Sequence, residues 1–158
     1  ISIGSFCKIG GEIECSIFHG YSNKQHDGYI GHSYIGEWVN LGANTNNSDL
    51  KNNYSTIKFD IGSQLIDTEE MFIGAMVGDY TKTGISTMLN TGTYVGIGAN
   101  IFGGEFQNKF IPSFTWGKDG ITEIEKFLST LKIVKSRRGQ SVSDVEKKLI
   151  IDLYKAIN

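Results

Sequence analysis

Apolar positions recur every six residues over a long central stretch of the chain. From Met71 the sequence reads MFIGAM, VGDYTK, TGISTM, LNTGTY, VGIGAN, IFGGEF. The first positions are Met71, Val77, Thr83, Leu89, Val95 and Ile101, apolar except for Thr83. The fifth positions from Val77 onward are Thr81, Thr87, Thr93, Ala99 and Glu105, mostly small. The same phase occurs in IGSFCK (3–8), IGGEIE (9–14), IGEWVN (35–40) and LGANTN (41–46). A period of six suits neither a helix nor a simple alternating strand. It suits a triangular coil in which each hexad gives one short strand and one corner. Three hexads close a turn of ~18 residues, and turns stack ~4.8 Å apart as parallel strands. The first position then points into the prism, and the fifth is small because the interior is too narrow for two large side chains. The expected fold is all-β, a parallel β-helix of hexapeptide repeats.

Residues 47–70 break this phase. NNSDLKNNYS reads as a protruding polar loop, and STIKFDI alternates like a strand. Over 122–136, Ile124, Phe127, Leu128 and Leu131 fall at helical spacing. Ser143 followed by Glu146 is a capping-box signature, and Val145, Leu149, Leu153 and Ile157 form the next apolar stripe. The expected organisation is a β-helix over 1–117 with an inserted loop at 47–70. A helical cap over 118–158 follows, its two helices expected to cover the open rim of the prism.

Composition supports the division. Of the 158 residues, 20 are Gly and one is Pro, which reads as many tight, regular corners. Residues 1–117 hold 18 of the glycines and a net charge of 6 − 11 = −5; residues 118–158 carry 9 − 6 = +3. The total of −2 offers no basic excess for nucleic acid. No apolar run approaches the ~18–20 residues of a membrane span. The chain opens on Ile1, without Met and without a signal peptide, and reads as a piece of a longer protein. Two cysteines are too few for a disulfide scaffold, so a reducing cytoplasm is expected.

The densest polar stretch, residues 21–49, contains His26 and His32. His26 lies in a polar break between hexads, where a neutral imidazole can take a proton from an amine or hydroxyl near neutral pH. The alternative is a solvated loop histidine without a role. His19, His26 and His32 are spaced seven and six apart, which puts them on different faces of one coil, so no metal site is expected in one chain. Cys7 and Cys15 read as packing residues, Lys82 as a solvated charge with a phosphate contact as the alternative, and Trp38 and Trp116 as interface or packing residues. No GxxxxGK[ST] phosphate loop is present.

YSNKQHDGYIGHSYIGEWVNLGANT, together with GDYTKTGISTMLNTGTYVGIGANIFGG, resembles the acetyltransferase half of the bifunctional GlmU-like enzymes that make UDP-N-acetylglucosamine. HSYIGEWVNLGA and LKNNYS are similar to the variant typical of Bacteroidetes. The resemblance covers residues 20–104, a little over half the chain. It implies a left-handed coil, a homotrimer, acetyl-coenzyme A as co-substrate, an amino sugar phosphate as acceptor, and an N-terminal nucleotidyltransferase domain in the full-length protein. It also implies a catalytic base at His26, sugar contacts at Tyr29 and Asn40, and coenzyme contacts at Ala43, Asp49, Leu50, Ile85 and Gly103. Three positions depart from the family: Glu14 stands where the family has a phosphate-holding Lys, Asp49 where it has Asn, and Ile85 where it has Ser; the family's second phosphate-binding Arg would lie before Ile1 or be missing. A carboxylate at the phosphate clamp repels a phosphate, so the acceptor is left open. The rival reading is a non-catalytic trimerisation scaffold for the nucleotidyltransferase.

Overall fold

A computed structural model describes residues 1–157. The hexads wind into a left-handed parallel β-helix with three flat faces. The first face stacks six short parallel strands, joined in register through Ile3, Phe18, Ile35, Val77, Val95 and Ile111. On the second face Lys8, Asn23, Asn40, Lys82, Asn100 and Trp116 stand at successive levels. The third face carries the strands Glu12–Glu14, Tyr29–Gly31, Asn46–Asn47 and Met88–Leu89.

Side chains at the inward positions form one narrow core. Phe18, Ile30, Ile35, Leu41, Val77, Leu89, Val95 and Ile101 are buried there. Thr45, Thr81, Thr87, Thr93 and Ala99 fill the small niches beside them.

 All five are fully buried. The threonines fit for a second reason: Thr45, Thr87 and Thr93 each donate their hydroxyl to the carbonyl three residues back, at Gly42, Gly84 and Asn90 (2.8–3.0 Å). A corner carbonyl is thereby satisfied inside the prism. Met71 and Glu105 depart from the hexad expectation, since both are exposed. Met71 belongs to the chain returning from the insertion rather than to a coil.

The coils are not all 18 residues long. Ile3 pairs with Phe18, Phe18 with Ile35, and Val77 with Val95, which are spacings of 15, 17 and 18. The shortened first coil shifts the phase, so Ile13 turns inward while Cys15, expected in an apolar position, is exposed at a corner with φ 41°. Tyr34 pairs with Met76, a spacing of 42, because the chain leaves the coil between these levels. The excursion contains an antiparallel hairpin, Lys58–Asp60 against Leu65–Asp67. Where it departs, Asn46 and Asn47 patch the ladder with their side chains: their Oδ1 atoms accept the Tyr29 and Gly31 N–H groups at 2.8 and 2.9 Å.

The repeated glycines serve close stacking more than corner geometry. A Cβ at Gly78 would stand 2.8 Å from the Gly96 carbonyl carbon one level up. Along the corner between the first and second faces, the left-handed backbone conformation is taken by Phe6, Tyr21, Trp38, Tyr80 and Phe114, with φ of 58–63°. Gly98 is the only rung of that column without a side chain, and it sits between the Tyr80 and Phe114 levels.

Helix α1 (Ile124–Ser136) packs along this column, and α2 (Asp144–Ile157) packs on α1. The helices therefore flank the prism rather than covering its rim. The aromatic corner gives α1 an apolar seat that runs along the axis. Phe127 fills the gap at Gly98 and meets Phe114 edge-to-face with centroids 5.2 Å apart. Lys135 lies 5.4 Å above the Trp38 ring, and Arg138 donates to the Phe6 carbonyl at 3.2 Å. Contacts from Phe127, Lys135 and Arg138 thus run down the column from the Gly98 level through Trp38 to Phe6. In α2 the buried residue is Ile150, whereas Val145 and Leu149 of the expected stripe are exposed. Among the described residues no helix is long and apolar enough to cross a membrane.

Candidate functional site

The coil register decides which candidate residues meet. Asn23, Asn40, Lys82 and Asn100 stand one above another. Three residues beyond each, on the corner between the second and third faces, come His26, Ala43, Ile85 and Gly103. Hydrogen bonds fix this column: Asn44 N–H donates to the Asp27 carbonyl and Ser86 N–H to the Ala43 carbonyl, both at 2.8 Å. His26 and Ile85 are exposed at this corner, and Ala43 is half-buried. Gly28 (φ +119°) closes the turn after His26, where any Cβ would collide with the Thr45 backbone.

The backbone at His26 is braced from within. Lys24 occupies an inward position, is buried, and donates to the Gly10 and His26 carbonyls at 3.0 and 2.9 Å. Burial pushes its pKa below the ordinary lysine value, and nearby Asp27 offsets part of that shift. An inward lysine in a hexad interior is a feature that periodicity alone does not predict.

Tyr29 and Asp49 come together on the third face. The Tyr29 hydroxyl donates to Asp49 Oδ2 at 2.7 Å and also lies 3.2 Å from Glu14 Oε2. Burial and then the Asp49 hydrogen bond raise the tyrosine pKa, so its hydroxyl stays a donor throughout the neutral range. Asp49 also bonds His32 Nδ1 at 2.8 Å, and the His32 ring packs on Phe72 with centroids 5.3 Å apart. His32 is the site residue that sequence reasoning missed. Its signal is the 17-residue spacing to Asp49, one coil in this part of the chain. Leu50 pairs with Phe72 at the start of the excursion.

Asn40 stands apart from Tyr29, on the second face, where its Oδ1 lies 3.4 Å from Asn23 Nδ2. His26 thus sits on the edge between a carboxylate-rich third face and the second face. Beside Asn40, a trench of about 470 Å³ runs between the second face and α1. Lys82, expected to be a solvated charge, is half-buried in its floor. His19 packs at a tilt against Tyr34, away from His26 and His32. Among the described residues no group of three or more His, Cys, Asp or Glu side chains could hold a metal ion.

No protein-family model matches the chain. Its curated homologues are bifunctional GlmU-type proteins. It is 31% identical over 104 residues to a bifunctional sugar-1-phosphate nucleotidylyltransferase/acetyltransferase of Sulfurisphaera tokodaii, covering 65% of this chain and 26% of that protein. It is 32% identical over 92 residues to the bifunctional protein GlmU of Methanocaldococcus jannaschii, covering 58% and 22%. With the GlmU of Methanococcus aeolicus it shares 36% identity over 93 residues, covering 56% and 22%. The chain spans about a quarter of the length of these relatives.

Proposed function

We propose that the chain is the acetyltransferase part of a bifunctional sugar-nucleotide enzyme, and that it moves an acetyl group from acetyl-coenzyme A to the amine of a glucosamine-1-phosphate-like acceptor. The observation that carries this reading is the single corner column of His26, Ala43, Ile85 and Gly103. Coil register alone lines up these four positions, which the resemblance picks independently as the base and three coenzyme contacts.

In this reading the acceptor amine attacks the thioester carbonyl carbon while His26 takes the amine proton. The carbonyl electrons move to oxygen and are held by backbone N–H groups at the corner. Collapse of the oxyanion breaks the C–S bond, and the coenzyme thiolate leaves and takes up the proton. Tyr29 presents its hydroxyl to the sugar from one side of the corner and Asn40 presents its amide from the other. Asp49 orients Tyr29, while Asp49 and Leu50 meet the coenzyme through the chain entering the insertion. The active unit is a cytoplasmic homotrimer with the coenzyme between subunits. The exposed apolar outer column of the first face, Ile17, Tyr34 and Met76, supports that assembly.

The test is an acetyl-transfer assay over amino sugars and their 1-phosphates. His26→Ala should lower kcat by ~10²–10⁴-fold while coenzyme binding is kept, and an unchanged kcat overturns the assignment. The scaffold reading is favoured by one observation, the convergence of Glu14 and Asp49 on the Tyr29 hydroxyl, where a phosphate would be repelled. Calorimetry with acetyl-coenzyme A separates the two, since a scaffold gives no heat of binding.

A further inference from the structure

We propose that the trench between the second face and α1 is a phosphate-binding site, in which Lys8, Lys82, Arg137 and Arg138 hold the phosphate of a ligand that reaches Asn40. The proposal deepens the acetyltransferase reading by naming where the phosphate goes.

Four cations and no carboxylate line the trench. Its volume suits a small-molecule ligand. Lys82 lies at its floor, and its Nζ donates to the Tyr80 carbonyl at 3.3 Å. Burial alone lowers its pKa, with no neighbouring carboxylate to offset the shift. Lys135, on the same helix flank, is instead matched by Glu146. A half-buried ammonium without an anion is costly, and a bound anion removes that cost. Arg138 is already oriented: one terminal nitrogen donates to Asn23 Oδ1 at 2.8 Å and the other to the Phe6 carbonyl. Its remaining donors, with exposed Arg137 and Lys8, suit the several oxygens of a phosphate.

The outward side chains of the two faces differ accordingly. The first face presents Ile17, Tyr34 and Met76, whereas the second presents Lys8, Asn23, Asn40 and Lys82. Glu14 and Asp49 make the third face unfavourable for a phosphate. The second face, one corner away past His26, supplies the missing positive charge. The shared chemistry is a phosphoester dianion, from either the acceptor sugar phosphate or the 3′-phospho-ADP end of the coenzyme.

The test is calorimetry on the intact chain with glucosamine-1-phosphate, glucosamine, coenzyme A and dephospho-coenzyme A. Lys82→Met and Arg137→Gln are compared with the unsubstituted protein. If the acceptor supplies the phosphate, both variants weaken glucosamine-1-phosphate binding by about tenfold or more, and glucosamine binding does not depend on Lys82. If the coenzyme supplies it, the same loss falls on coenzyme A and is smaller for the dephospho form. Unaltered binding of every phosphate ligand in both variants overturns the site, as does absence of any phosphate binding. Arg137 is exposed, so Arg137→Gln carries the test if Lys82→Met does not fold. Binding that depends on these cations, in a protein that transfers no acetyl group, upholds the trench and removes the acetyltransferase reading.

Discussion

Gly98 carries a load that its lack of a side chain makes possible. It is the one rung of the aromatic corner where Phe127 of α1 enters, and a Cβ there would stand 2.6 Å from the Phe127 ring. Gly98→Ala should therefore destabilise the fold by about 2 kcal/mol, through overpacking and left-handed strain together. Thermal melting reads this directly, and an unchanged melting temperature would show that Phe127 yields freely. At Tyr29 the expectation concerns function. Tyr29→Phe removes the hydroxyl held by Asp49 and should raise KM for the acceptor more than it lowers kcat, as steady-state kinetics would show. The sequence made the inward and small positions legible, because burial in a narrow prism selects them one by one. It did not make Lys24 or the His32–Asp49 pair legible. Lys24 breaks the apolar rule, and the pair depends on a coil of 17 residues rather than 18.

The two helices are tied by a short polar cluster. Lys135 reaches both carboxylate oxygens of Glu146 at 2.5 and 2.6 Å, and the Tyr80 hydroxyl donates to the same group at 2.6 Å. Burial pushes the Glu146 pKa up, but the hydrogen bonds from Lys135 and Tyr80 outweigh it and leave the carboxyl below its ordinary value. A carboxyl lowered in the folded state stabilises at pH above its unfolded pKa of ~4.3, and that contribution is lost as pH falls through the folded value. Acid should thus loosen α2 first, and Glu146→Gln should flatten the pH dependence of melting below about pH 5. The capping signature was half right. Ser143 Oγ accepts the Glu146 N–H at 3.1 Å, while the Glu146 side chain turns to Lys135 and Tyr80. A sequence window records a local partner, and a stronger distant one took its place.

At the scale of the molecule, the three faces have distinct surfaces: apolar on the first, cationic and amide-rich on the second, acidic on the third. If the first face joins the subunits, Met76→Lys should shift the mass from trimer to monomer in sedimentation experiments without unfolding the coil. The six-residue period announced the prism because every level repeats the same steric problem. The seat of α1 was not announced, because it arises from aromatic residues spaced 15 to 42 apart that form a stripe only after the chain has wound.

That stripe also ties the length of the prism to the length of a helix. Each coil adds ~4.8 Å of height and each helical residue ~1.5 Å, so one inserted coil would need about three more residues in α1 to keep its contacts aligned. Repeat proteins usually gain or lose units freely. Here a duplicated coil would strand Arg138 away from Phe6 or pull Phe127 out of its gap, so descendants of this chain can change height only when both elements change in step.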